Sequence, residues 1–227
     1  MNIPIESRKN NSLIFRGFIC SFLPLAWTKQ IFKYKILIMK TVRKIFIVIL
    51  GIVILMLVIA LFVEKEYSAE RQIQVNRPLP EVFNYVKYLK NQDNYSVWAN
   101  MDPDMHKEYR GIDGEVGFVS AWESDDRNVG KGEQEIIKIT EGERIDYELR
   151  FFVPFESTDQ AYMITKALND SVTNVIWGLH GSFTYPMNIF LLTMNMESML
   201  APDLEAGLIE LKNILEAAPT QPLEPEE

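Results

Sequence analysis

Residues 45–63, IFIVILGIVILMLVIALFV, are nineteen consecutive apolar or glycine positions. A helix of a soluble domain keeps a polar face, and this run has none. At ~1.5 Å per residue such a helix spans roughly 28 Å, about the hydrocarbon thickness of a bilayer. The run predicts one membrane-spanning helix. Beyond Glu64 the texture changes. Residues 67–75 (YSAERQIQV) alternate toward their end and predict a strand, which Asn76-Arg77-Pro78 and Pro80 punctuate. In LPEVFNYVKYL, Val82, Phe83, Val86 and Leu89 recur at helical spacing and predict a short helix with one apolar face. Residues 91–105, which include NYSVWANMDPDM, follow no regular period and predict a loop or broken helix.

From 106 to 182 the pattern is that of short strands separated by turns. In RIDYELRFF, Ile145, Tyr147, Leu149 and Phe151 point one way, and Asp146, Glu148 and Arg150 the other. Phe118, Ser120 and Trp122 share a face; so do Val175, Trp177 and Leu179, with His180 alternating away. Pro186 begins a methionine-rich stretch, MNIFLLTMNMESML. Pro202 then predicts the first position of a helix, with acids in its first turn and Leu204, Leu208, Leu211 and Leu215 as its stripe. Gly207 beside that stripe leaves room for a backbone or a bulky ring. The Pro/Glu-rich residues 217–227 predict disorder. Strand, short helix, strand meander and one long C-terminal helix make an α+β layout. A sheet curved around that helix leaves an apolar pocket facing Trp122, Tyr147, Phe151 and Trp177.

Charge sharpens the picture. Of the 23 Lys/Arg and 31 Asp/Glu, nine basic residues and one acid fall within residues 1–44. Residues 64–227 then hold 14 basic and 30 acidic side chains, a net of −16. Phosphate backbones repel such a domain, which argues against nucleic acid as a partner. Lys40, Arg43 and Lys44 precede the apolar run and Glu64 and Glu66 follow it. The N-terminus is therefore expected in the cytoplasm and the acidic domain outside it, at the cell membrane. A cleaved signal peptide has a shorter apolar core and a small-x-small site, and neither is present. Cys20 is the only cysteine, so no intrachain disulfide forms.

The candidate chemistry is sparse. Asp102-Pro103-Asp104 supplies too few spaced oxygens for calcium, which leaves Trp98, Met101 and Met105 as rim residues and the aspartates as turn caps. His106 and His180, the only histidines, have no nucleophile or acid at triad spacing, and no zinc pattern occurs. Gly111, Gly114 and Gly117 (GIDGEVG) read as turn glycines rather than a phosphate cradle. Taken alone, the aromatic positions would suit an ordinary core as well as a cavity wall.

Residues 66–216 resemble the SRPBCC superfamily, also called START-like or helix-grip proteins. The segments that carry the likeness are VNRPLPEVFNYV, SVWANMDPDM, AWESDDRNVGKGEQEI, VIWGLHG and MNMESMLAPDLEAGLIELKN. The nearest likeness is to bacterial members labelled "polyketide cyclase", many with one N-terminal membrane segment. Tyr95-Ser96-Val97-Trp98 stands where relatives commonly have Trp-Ser-Pro-Trp, and Ala201-Pro202-Asp203 where they have Gly-Pro-Asp. The resemblance implies a sheet gripping the C-terminal helix around a hydrophobic cavity that takes a small molecule or lipid. Its expected lining is Trp98, Phe118, Trp122, Tyr147, Phe151, Trp177, Met194, Leu204, Leu208 and Leu211. Methionines 187, 194, 196 and 199 would form an adaptable lid over residues 186–200. No cofactor, metal or catalytic residue is expected, and no protein partner can be named. Two alternatives stay open: a cyclase or dehydratase, with Tyr147 and Tyr162 as its modest ionisable candidates, and an interaction module whose groove is filled by protein.

These readings divide the chain into a basic segment (1–44), a span (45–63), a START-like domain (66–216) and a tail (217–227). Met39-Lys40-Thr41-Val42-Arg43-Lys44 has the layout of a signal-anchor start, so translation is expected to begin at Met39. Intact mass of the protein from its native membrane checks this; a mass that includes residues 1–38 overturns it.

Overall fold

The computed structural model describes residues 25–217, with side chains from residue 32 onward. Cys20, most of the segment 1–38 and nearly all of the tail 217–227 lie outside the described residues. The chain divides into two units, 1–57 and 58–227. The first consists, where described, of most of helix α1 (Leu25–Ala60). Residues Phe32–Ala60 within it are long and apolar enough to cross a membrane. The helix therefore starts well before the apolar run and stops three residues short of its end. The stop has a local cause. Leu61 and Phe62 donate to Val58 and Ile59, tightening the last turn. The buried Asn188 side chain donates to the carbonyls of Ala60 (2.7 Å) and Val63 (2.9 Å).

The second unit is built on one antiparallel seven-stranded sheet. Its strands are β1 (Glu66–Val75), β2 (His106–Arg110), β3 (Val119–Glu123), β4 (Lys131–Thr140), β5 (Arg144–Val153), β6 (Ser157–Asn169) and β7 (Val172–Ser182). The order β1-β7-β6-β5-β4-β3-β2 is a meander from β2 to β7, with β1 paired onto its last strand. Alternation puts Ile145, Tyr147 and Leu149 on the covered face and the charged residues of β5 on the other. There Arg150 bonds Glu133, Glu135 and Glu148.

Helix α2 (Leu79–Lys87) buries Val82, Phe83 and Val86. Two 3-10 helices follow, Leu89–Asn94 and Trp98–Asn100. Asp113, from the loop whose glycines 111, 114 and 117 all have positive φ, accepts the backbone N–H of Leu89 at 2.7 Å. That anchors the start of the first 3-10 helix to the strand meander. A third 3-10 helix, Met187–Leu192, precedes α3 (Met196–Ala217).

Helix α3 begins six residues before Pro202, not at it. Asn195 serves as its cap: its side chain accepts the N–H of Ser198 and its carbonyl accepts the N–H of Met199. Pro202 thus sits inside the helix. At the far end, Arg77 donates to the carbonyls of Leu215 and Glu216, satisfying groups the helix leaves unpaired. The helix lies over β1 and β7, with Leu204, Leu208 and Leu211 fully buried.

Gly207 meets the Trp177 ring. A Cβ there would lie 2.7 Å from the indole and 3.1 Å from the Tyr95 carbonyl oxygen. Gly207→Ala is expected to cost about 1–3 kcal/mol, as overpacking does, and to shift tryptophan emission. Denaturant unfolding followed by fluorescence checks both, and unchanged stability with unchanged emission overturns this account of the contact.

Candidate functional site

A cavity of about 320 Å³ opens between the covered face of the sheet and residues 89–105. Strand register builds its floor. Ser120 pairs with Gln134, Gln134 with Leu149, and Ala161 with Leu179, so side chains from five adjacent strands line it. One step along, Trp122 and Phe151 both pair with Gly132. A Cβ on Gly132 would lie 2.5 Å from the Trp122 ring. Its absence lets Trp122 meet Phe151 edge to face, centroids 5.8 Å apart. The roof comes from Leu89, Ser96, Trp98, Met101 and Met105, with Leu200 from α3.

Trp177 forms the wall between cavity and core. Only 2% exposed, it touches Tyr95 and Trp98 edge to face at 5.7 Å and still lines the cavity. Of the residues expected to line a pocket, Trp98, Trp122, Phe151 and Trp177 come together here. Phe118, Tyr147, Leu204, Leu208 and Leu211 stand in the packed core instead, the three leucines because α3 lies on β1 and β7. Met194 lies in an open groove near the start of β1, with Met196 and Glu197. The early start of α3 and the 3-10 helix before it carry the methionines there.

Asp102-Pro103-Asp104 sits at the cavity rim, beside the lining residues Met101 and Met105. Asp102 accepts the Asp104 N–H at 2.9 Å and the Ser124 hydroxyl, which together hold its carboxyl below the usual range. Asn100 donates to the carbonyls of Asp93 and Ser96, both at 2.9 Å. The charged groups that line the cavity are Asp93 and Lys107, 3.0 Å apart. Asp93 also accepts the Tyr109 hydroxyl. Sequence reasoning missed these two and Gln134, although the alternation of EQEIIKIT places Gln134 on the covered face. Among the described residues no group of three His, Cys, Asp or Glu side chains is placed to hold a metal.

No protein-family model and no curated protein matches the chain. Solved structures do. Norcoclaurine synthase from Thalictrum flavum, in complex with dopamine and hydroxybenzaldehyde, superposes with a TM-score of 0.50 at 8% identity, over 68% of this chain and 90% of that one. This is a helix-grip fold. A point mutant of the same enzyme with a transition-state analogue gives 0.50 at 7% identity, over 66% and 94% of the two chains. A protein from Nitrosospira multiformis gives 0.47 at 16% identity, over 66% and 97%. Such identities speak to the fold, and the site must be argued from its own residues.

The tyrosines considered for catalysis stand away from the cavity. Tyr147 is buried in the core, and that burial pushes its hydroxyl well above the ordinary tyrosine value. Tyr162 lies on the opposite face of β6 from Ala161 and donates to Glu70; partial burial and that carboxylate push it up to about 12. Neither ionises at neutral pH. Asp159 is the buried acid of the covered face, accepting the Tyr67 hydroxyl at 3.0 Å. Burial, only partly offset by that hydroxyl, raises its carboxyl above the usual range. The folded protein holds this proton more tightly than the unfolded chain does. Its contribution to stability is full below the unfolded carboxylate value and is lost as pH rises through the folded one. Asp159→Asn is expected to melt above wild type at pH 7, with the difference closing near pH 4. Thermal melts across that range check it, and a variant less stable at pH 7 overturns it.

Proposed function

We propose that this protein is a membrane-anchored carrier or receptor for a hydrophobic small molecule, held in the cavity walled by Trp98, Trp122, Phe151 and Trp177. The observation that carries the reading is the cavity itself: a preformed, aromatic-lined space with few polar groups. In this reading residues 66–216 are the binding domain. Phe32–Ala60 holds the membrane span, and the basic residues before its apolar core keep the N-terminus in the cytoplasm. The binding domain then lies on the extracytoplasmic side, near the lipid phase where apolar ligands concentrate. The sequence resemblance to SRPBCC proteins supports this. So does norcoclaurine synthase, whose structure holds two small aromatic molecules.

Magnitudes limit the ligand. A ring system that buries 150–250 Å², as an aromatic side chain does, gains about 4–6 kcal/mol at 25 cal/mol per Å². That corresponds to millimolar to tens of micromolar affinity before association costs are met. Shape and polar contacts must supply the rest. A cyclase-type reading would have to use Asp93 and Lys107, and their mutual neutralisation with Tyr109 alongside favours a structural part for both.

The full chain, gently purified and released from detergent in a native mass spectrometer, is expected to carry an extra mass that organic solvent extracts. Trp98→Ala, which opens the rim, is expected to lose at least tenfold in retained ligand while keeping its fold. A bare mass for the wild type, with no uptake from a lipid extract, would replace this reading with that of an interaction module.

A further inference from the structure

The polar side chains inside the cavity are arranged, not scattered. Ser120 on β3 and Gln134 on β4 are register partners on the covered face, and both line the cavity. Gln134 is only 8% exposed. Neither its amide nor the Ser120 hydroxyl has a side-chain hydrogen-bond partner among the described residues. An amide carries two donors and a two-lone-pair acceptor, and on a cavity wall these are open to bonding by whatever enters. Thr173 and Thr165, other buried polar side chains of the sheet, are instead bonded to the backbone, at the carbonyls of Arg77 and Gly142. Of the polar residues that line the cavity, Gln134 and Ser120 are the neutral pair contributed by its strand floor. The rings of Trp122 and Phe151 stand one register step away, above Gly132.

Resting on the binding reading above, we propose that the ligand is a compact, uncharged ring compound bearing a hydroxyl or carbonyl group, which hydrogen-bonds to Gln134 and Ser120. Three observations define that class. The volume of about 320 Å³ lies at the bottom of the range for small-molecule sites. The anchoring groups are neutral and offer both donors and acceptors, which suits a hydroxyl or carbonyl. The charges that line the site, Asp93 and Lys107, already face each other at 3.0 Å, so an ionic ligand would have to break that pair. The sheet thus reads one polar atom while the aromatic wall holds the ring.

The test compares 2-naphthol with 2-methylnaphthalene, which replaces the hydroxyl by a methyl group of similar size. Binding to the full chain in nanodiscs is read from quenching of tryptophan emission, with empty nanodiscs as the partition baseline. Wild type is expected to bind 2-naphthol about tenfold more tightly than 2-methylnaphthalene, a ratio of the size one buried hydrogen bond gives. Gln134→Leu is expected to bring that ratio within twofold, while 2-methylnaphthalene binds equally well or better and the melting temperature does not fall. Ser120→Ala, the milder change, is expected to lower the ratio by a smaller factor. A wild-type ratio near one, or a ratio that survives Gln134→Leu, overturns the polar-anchor assignment and leaves the hydrophobic carrier standing. Failure of the wild type to bind either probe overturns both.

Discussion

Everything in the binding unit depends on the Trp177 ring lying against Gly207. The indole is too large to sit under a helix unless one helical position has no side chain, and Gly207 is that position. Held there, Trp177 packs its other edges against Tyr95 and Trp98 and so fixes the start of the rim. Below the ring, Leu204, Leu208 and Leu211 fill the space between α3 and the sheet completely. Above it, α3 contributes only Leu200, and the space stays open. One aromatic–glycine contact therefore divides the interior into a core that stabilises and a cavity that can bind.

A second missing side chain shapes the other wall. Gly132 faces inward between Trp122 and Phe151, and its vacancy lets two rings from strands two apart touch over it. Strand interiors usually lose stability at glycine. Here the loss is offset by an aromatic pair, worth roughly 0.5–1.5 kcal/mol beyond its buried area. Both glycines act by permitting close approach, not by an unusual backbone angle.

Much of this was legible in the chain, and the parts that were not share a physical cause. Alternation in RIDYELRFF and VTNVIWGLHG assigned the covered face correctly, because a period of two survives any packing arrangement. The apolar stripe of α2 and the close-approach role of Gly207 follow from helical spacing in the same way. The start of α3 did not, since Asn195 caps it through a local bond that competes with the stronger signal of Pro202. Nor did the division between core and cavity. Tyr147 and Leu149 alternate identically along β5 and both join the buried cluster, yet only Leu149 also lines the cavity. Gln134 was hidden for the opposite reason: a polar residue on a covered face looks like an error of phase until the space beside it is known.

The rim argues for a preformed site rather than a swinging lid. The first 3-10 helix is held at its start by Asp113 and at Asp93 by Lys107 and Tyr109. The next is tied back through Asn100 to the carbonyls of Asp93 and Ser96. Past it, Asp102 is bound to Ser124 beyond β3. Opening the whole segment would break all of these at once. Met101 and Met105 line the cavity between those ties, Met101 is half exposed, and unbranched side chains of this kind change rotamer at little cost. Such side chains can adjust without moving the backbone, Gln134 or Ser120.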